Sequence, residues 1–146
     1  MMNLAAFFNQ ECPFGKNLGL FLLRLVAGLV LFYGHGLGKL QKIFSGQEII
    51  FMDPIGIGEV PSFYLAAMAE GLFALLLIIG LFSRLATLVL VGNFLVIFYF
   101  HLGDGFKALE LIFFYLASYL ALFLLGPGKW SLDALIWKPK KWQSRY

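Results

Sequence analysis

Four long apolar runs constrain this chain more than any other feature. They fall at about residues 18–40, 62–82, 85–102 and 107–125, and each approaches the ~20 residues a helix needs to cross ~30 Å of hydrocarbon. Stretches such as Phe73-Ala74-Leu75-Leu76-Leu77-Ile78-Ile79 are apolar on every side, whereas a membrane β-barrel strand alternates with a period of two. An all-α, integral membrane four-helix bundle follows. At 61% hydrophobic and 13% charged residues, with mean hydropathy +0.86, the composition fits lipid as solvent. Eleven Lys and Arg stand against eight Asp and Glu, too mild an excess for a nucleic-acid groove. The single cysteine, Cys12, rules out an internal disulfide, Cys-x-x-Cys redox chemistry and a multi-thiolate zinc site.

The connections order the bundle. Only Ser83-Arg84 separates the second and third runs, and Gly103-Asp104-Gly105 the third and fourth, so these helices are antiparallel neighbours joined by tight turns. The first connection, roughly residues 40–61, mixes Phe44, Ile49, Ile50 and Phe51 with charged side chains. It reads as a long outward-facing loop lying on the membrane surface. Residues 1–17 have no basic residue before Lys16, unlike a secretory signal peptide, and are expected to form an interfacial segment. The transmembrane domain is then 18–126, and 127–146 form a basic aromatic tail carrying Trp130, Trp137 and Trp142.

Four crossings place the N-terminus, the Ser83-Arg84 turn and the tail on one side. That side collects Lys16, Arg84, Lys129, Lys138, Lys140, Lys141 and Arg145, against Lys39, Lys42 and Lys107 opposite. The positive-inside rule makes both termini cytoplasmic, and tryptophan among lysines suits an anionic headgroup boundary.

Ionisable groups inside the runs are the candidate functional residues, because a charge at the bilayer centre costs roughly 2.5–3.5 kcal/mol even on lenient scales. At 100° per residue, Arg24, Gly28, His35 and Lys39 share one stripe of the first helix. Glu70 is the only carboxylate well inside an apolar run, and Ala66, Ala67, Ala69, Gly71 and Ala74 around it allow a second backbone to come close. At 1.5 Å per residue Arg24 lies ~9 Å and Glu70 ~18 Å above the inner boundary, a gap that an arginine side chain spans. The expectation is an Arg24–Glu70 ion pair or water-bridged pair. Two alternatives assign it only a register-fixing role, or let Arg24 snorkel to headgroups. With Asn93, His101 and Glu110, the residues Arg24, His35, Lys39 and Glu70 make up a candidate polar pocket. His35 and His101 are also conceivable haem or copper ligands, although their separation matches no known ligand spacing. Alternating glycines in Gly34-His35-Gly36-Leu37-Gly38 weaken the helix by about 1 kcal/mol each relative to Ala. They point to a bend, a close backbone approach or tight helix packing there.

Arg24 with Gly34-His35-Gly36-Leu37-Gly38-Lys39, Ala69-Glu70-Gly71 leading to Gly80-Leu81-Phe82-Ser83-Arg84-Leu85-Ala86, and Gly126-Pro127-Gly128-Lys129-Trp130-Ser131-Leu132-Asp133 resemble the DoxX family over about residues 18–135. The last string is the most specific part. The resemblance implies a small four-helix protein of the bacterial cytoplasmic membrane, related to the DoxD and DoxX subunits of thiosulfate:quinone oxidoreductase. It supplies no agreed catalytic residues. The more distant quinone-reducing bundles of the vitamin K epoxide reductase kind act through paired cysteines, which this chain lacks.

These readings converge on a membrane subunit of a quinone-linked redox system, with quinone as the possible ligand, a redox subunit as partner, and a possible homo-oligomer. The alternatives are a non-catalytic accessory or assembly protein and, less well supported by four helices without inverted repeats, a small transporter or channel.

Overall fold

The computed structural model describes residues 12–137, and the readings made for residues 1–11 and 138–146 fall outside that range. The described residues are helical apart from turns and loops, with no strand among them. Four helices are long and apolar enough to cross a membrane: α1 (Pro13–Phe44), α2 (Glu59–Ile79), α3 (Ser83–Phe100) and α4 (Phe106–Leu125). A short α5 (Leu132–Ile136) follows. Each long helix packs against its chain neighbours and α4 closes back on α1, an up-down-up-down ring with one core. Ala27, Leu31, Ala74, Leu77, Leu90 and Tyr119 lie at its centre, while Leu22, Val26, Leu75, Leu88, Leu95 and Phe114 point outward. This apolar perimeter is what a bundle dissolved in lipid presents. The protein is a multi-pass membrane protein.

Helix α1 extends beyond its apolar run at both ends. Pro13 opens it, where a missing N–H is harmless, and Cys12 Sγ accepts from the Gly15 amide. It passes Lys39 to end at Phe44, because the amphipathic last turns need no lipid. Residues 45–58 form the long connection, folded on Asp53, whose carboxylate accepts from the Ile57 and Gly58 amides and the Ser62 hydroxyl at 3.0, 2.7 and 2.7 Å.

Two π-helical turns interrupt the long helices, at Phe32–Gly36 in α1 and Met68–Phe73 in α2, and they face each other. A wider turn advances the register by about one residue. The single stripe expected along α1 therefore breaks: Arg24, Gly28 and Leu31 are buried, but Gly36 takes the inward position and His35 is exposed. A Cβ on Gly36 would fall on the Glu70 carbonyl, whereas at Gly34 and Gly38 it would meet none of the described residues within 4 Å. Close approach is thus the reason for one glycine of the three.

The chain after α4 does not run free. Gly126 to Ile136 fold back over the mouth where α2 turns into α3. Helix α2 ends in a Schellman motif, Leu81 N–H to Leu76 C=O and Gly80 N–H to Leu77 C=O, with Gly80 left-handed. A Cβ there would also lie 2.6 Å from Ser131 Cβ and 2.8 Å from Arg24 Cζ. The Asp133 amide donates to the Gly80 carbonyl at 2.8 Å. Its carboxylate accepts from the Phe82 and Ser83 amides at 2.7 and 2.8 Å, capping the positive end of α3.

Candidate functional site

Arg24 is 1% exposed and does not face Glu70. Its Nη1 donates to the Pro127 carbonyl at 2.6 Å and its Nη2 to the Trp130 carbonyl at 2.7 Å, with the guanidinium over the Phe21 ring. Phe14 and Phe21 pack edge-on to Trp130. The expected Arg24–Glu70 pair is therefore corrected. The planar fork of the guanidinium matches two convergent carbonyls near its own end of the helix, and this contact makes a long reach toward Glu70 unnecessary. Arg24 thus leaves the candidate pocket and becomes the pin that holds the folded-back segment.

Glu70 takes a different cation. It is 4% exposed, near the middle of α2. Its Oε2 accepts from Lys39 Nζ in an ion pair, and its Oε1 accepts from Asn93 Nδ2 at 3.2 Å. Gly36 explains the register. With its backbone against Glu70, the residue three further along, one turn up the same face, brings an amine within reach. Both carboxylate oxygens are thereby engaged, one from α1 and one from α3, as a buried charge requires.

Two cavities meet at this carboxylate. One, of about 250 Å³, lies between α2 and α3, with walls of Leu65, Ala66, Val89, Val96 and Ile97 and with Asn93 and His101 as polar members beside Glu70. The other, of about 360 Å³, lies between α1 and α4 and has His35, Lys39, Glu70, His101 and Tyr115 in its wall. Phe51 and Met52 of the long connection border both. His101 Nδ1 lies 2.9 Å from the Ile97 carbonyl. Donating there fixes the proton on Nδ1 in the neutral ring and leaves Nε2 an acceptor. Among the described residues the buried Tyr115 hydroxyl has no hydrogen-bond partner.

Of the seven pocket candidates, His35, Lys39, Glu70, Asn93 and His101 thus border one or both cavities. Arg24 does not, and Glu110 is exposed on the first turns of α4, lining neither. No group of three His, Cys, Asp or Glu side chains among the described residues is placed to hold a metal ion. Tyr115 was not legible in the sequence as a site residue, since a tyrosine inside an apolar run looks like core. Its i, i+4 spacing from Tyr119 on the bundle-facing side of α4 is the one signal it leaves. Phe51 and Met52 leave none.

Comparisons with curated proteins and with solved structures gave no match. The family model described as DoxX matches residues 19–102, a span that includes Arg24, both π-turns, Lys39, Glu70, Asn93 and His101. The match covers more than half of the chain, and the protein belongs to the DoxX family.

Proposed function

We propose that the Glu70 centre binds a lipid-soluble molecule bearing carbonyl oxygens, of the quinone class, and that the chain serves as the membrane subunit of a quinone-linked redox system. The carrying observation is the buried Lys39–Glu70–Asn93 cluster at the junction of two largely apolar cavities. Few, convergent polar groups in an apolar recess are the pattern of small-molecule sites. An ionisable cluster kept inside the membrane carries a function by default.

The residues present fit such a ligand. A quinone ring in the cavity between α2 and α3 would pack against Val89, Val96 and Ile97 with an oxygen accepting from the Asn93 amide, while Lys39 and the Tyr115 hydroxyl are the donors in the wall of the second cavity. Reduction to a quinol takes two electrons, which a redox partner subunit supplies, and two protons. The protons are this chain's part: the Glu70 carboxylate and His101 Nε2, both acceptors as placed, would each first take up a proton from the side of the long connection and then release it to a ligand oxygen.

The membrane placement belongs to the same reading. With Lys39 drawn inward, the described cations at the long-connection side are Lys42 and Lys107, beside Glu48, Asp53, Glu59, Asp104 and Glu110. The opposite side has Lys16, Arg84 and Lys129 against Asp133. Over the whole sequence the Lys and Arg excess of seven to three supports both termini on the cytoplasmic side, and the family likeness supports a bacterial inner membrane.

Calorimetric titration of the detergent-solubilised protein with a short-chain quinone tests the reading. Saturable binding should weaken by on the order of tenfold in Glu70→Gln, the effect of ~1.4 kcal/mol. Equal affinity in wild type and variant would refute a site centred on Glu70.

A further inference from the structure

The mouth closed by the folded-back segment holds a groove of about 960 Å³, and nothing in the proposed quinone site uses it. Lys16 from the start of α1, Arg84 from the start of α3 and Lys129 from the segment after α4 converge on it. Lys16 and Lys129 also share an adjoining recess of about 490 Å³. Like charges drawn together repel, and here neutral bonds hold them: Asn17 Oδ1 accepts from the Lys129 amide at 2.8 Å, and its Nδ2 donates to the Pro13 carbonyl at 2.6 Å. The one carboxylate in the groove wall, Asp133, already accepts two backbone amides. Among the described residues none of the three cations has a carboxylate within ion-pair distance. Among the described residues the groove is a cradle of three cations and one backbone-engaged carboxylate.

We propose that this cradle binds the phosphodiester head group of an anionic phospholipid. Arg84 offers the planar fork that matches two phosphate oxygens, and the two lysines add point charges. The lipid, rather than a soluble phosphate, is indicated by the rim: Leu85, Leu125 and Trp137 are 52%, 57% and 62% exposed and line the same groove. Such a rim gives acyl chains an apolar track into the bilayer, with tryptophan at the headgroup level. Basic pockets at helix ends of this kind select acidic head groups.

The test is native mass spectrometry of the whole protein released from nanodiscs of mixed phosphatidylglycerol and phosphatidylcholine. At roughly fivefold per cation, wild type should retain phosphatidylglycerol by at least an order of magnitude over phosphatidylcholine. Arg84→Gln with Lys129→Gln should erase most of that preference, while Lys42→Gln with Lys107→Gln at the far mouth should leave it intact. Equal retention of the two lipids by wild type overturns the proposal, as does a preference that survives the Arg84 and Lys129 changes. Complete displacement of phosphatidylglycerol by millimolar glycerol phosphate would also overturn it, assigning the cradle to a soluble phosphate. The wild-type comparison decides the matter even if the double variant fails to fold, and quinone titration of the same samples reads the Glu70 site separately.

Discussion

Arg24 and Glu70 are both ionisable groups buried in apolar helices, yet they do opposite kinds of work. Arg24 is answered by the carbonyls of Pro127 and Trp130, more than a hundred residues away in the chain. A backbone oxygen has no side-chain signature, so a sequence search for a partner to Arg24 finds the only carboxylate in sight and misses the true acceptors. Lysine at this position keeps the charge and loses the fork. Arg24→Lys should therefore cost about 2 kcal/mol, the scale of one hydrogen bond to a charged group, read as a lowered unfolding temperature in detergent. Quinone affinity should remain unchanged. A variant as stable as wild type would contradict the pin assigned to Arg24, and a loss of quinone binding without loss of stability would return Arg24 to the pocket.

At the level of elements, the facing π-turns decide which polar residues meet. Helical wheels assume a constant 100° per residue, and no pattern in Phe32 to Gly36 announces an extra residue in the turn. That is why His35 was expected inside the stripe and Gly36 was not told apart from Gly34 and Gly38 as the glycine of close approach. The three glycines separate cleanly by experiment. Gly34→Ala and Gly38→Ala place a methyl in open space and should be neutral or stabilising by up to ~1 kcal/mol. Gly36→Ala meets the Glu70 backbone and should destabilise by at least 1–3 kcal/mol, as overpacking does. Equal effects at all three positions would contradict the close crossing.

The long connection is an element of another kind, held by one carboxylate. The Ser62 hydroxyl first, then the Gly58 and Ile57 amides, hold Asp53 below its ordinary value of 3.8. Because the folded loop favours the charged form, its ordering is fully present above that ordinary value and is lost as pH falls through the lowered one. Amide protection at Ile57 and Gly58, taken relative to the intrinsic exchange rate at each pH, should fall at acid pH, and Asp53→Asn should show low protection already at neutral pH. Exchange in Asp53→Asn as slow as in wild type would remove the carboxylate from that role.

For the whole molecule, the four crossings and their antiparallel order were legible because lipid imposes a length and a polarity that short sequence windows record. The grouping of Lys39, Glu70, Asn93 and His101 was partly legible, since charges and amides inside apolar runs stand out. Their pairing was not, because it depends on where α1 and α2 touch. The closure of the turn-side mouth was the least legible feature. The sequence Gly-Pro-Gly-Lys-Trp-Ser-Leu-Asp reads as a tail, and only in three dimensions does its Asp133 cap α3 while its carbonyls hold Arg24. The family match ends at Leu102, so α4 and this closing segment lie beyond it, though they supply Tyr115 to the second cavity and fix the turn-side ends of α1 to α3.

The account stands on a ligand seated at Glu70, between the helices. Photolabelling of the membrane-embedded protein with an azidoquinone, mapped by peptide mass spectrometry, tests this most directly. Label should concentrate on Phe51, Met52, Val96 and Ile97, and unlabelled quinone should compete it away. Label spread over outward-facing residues such as Leu22, Leu88 and Phe114, and indifferent to competitor, would contradict it.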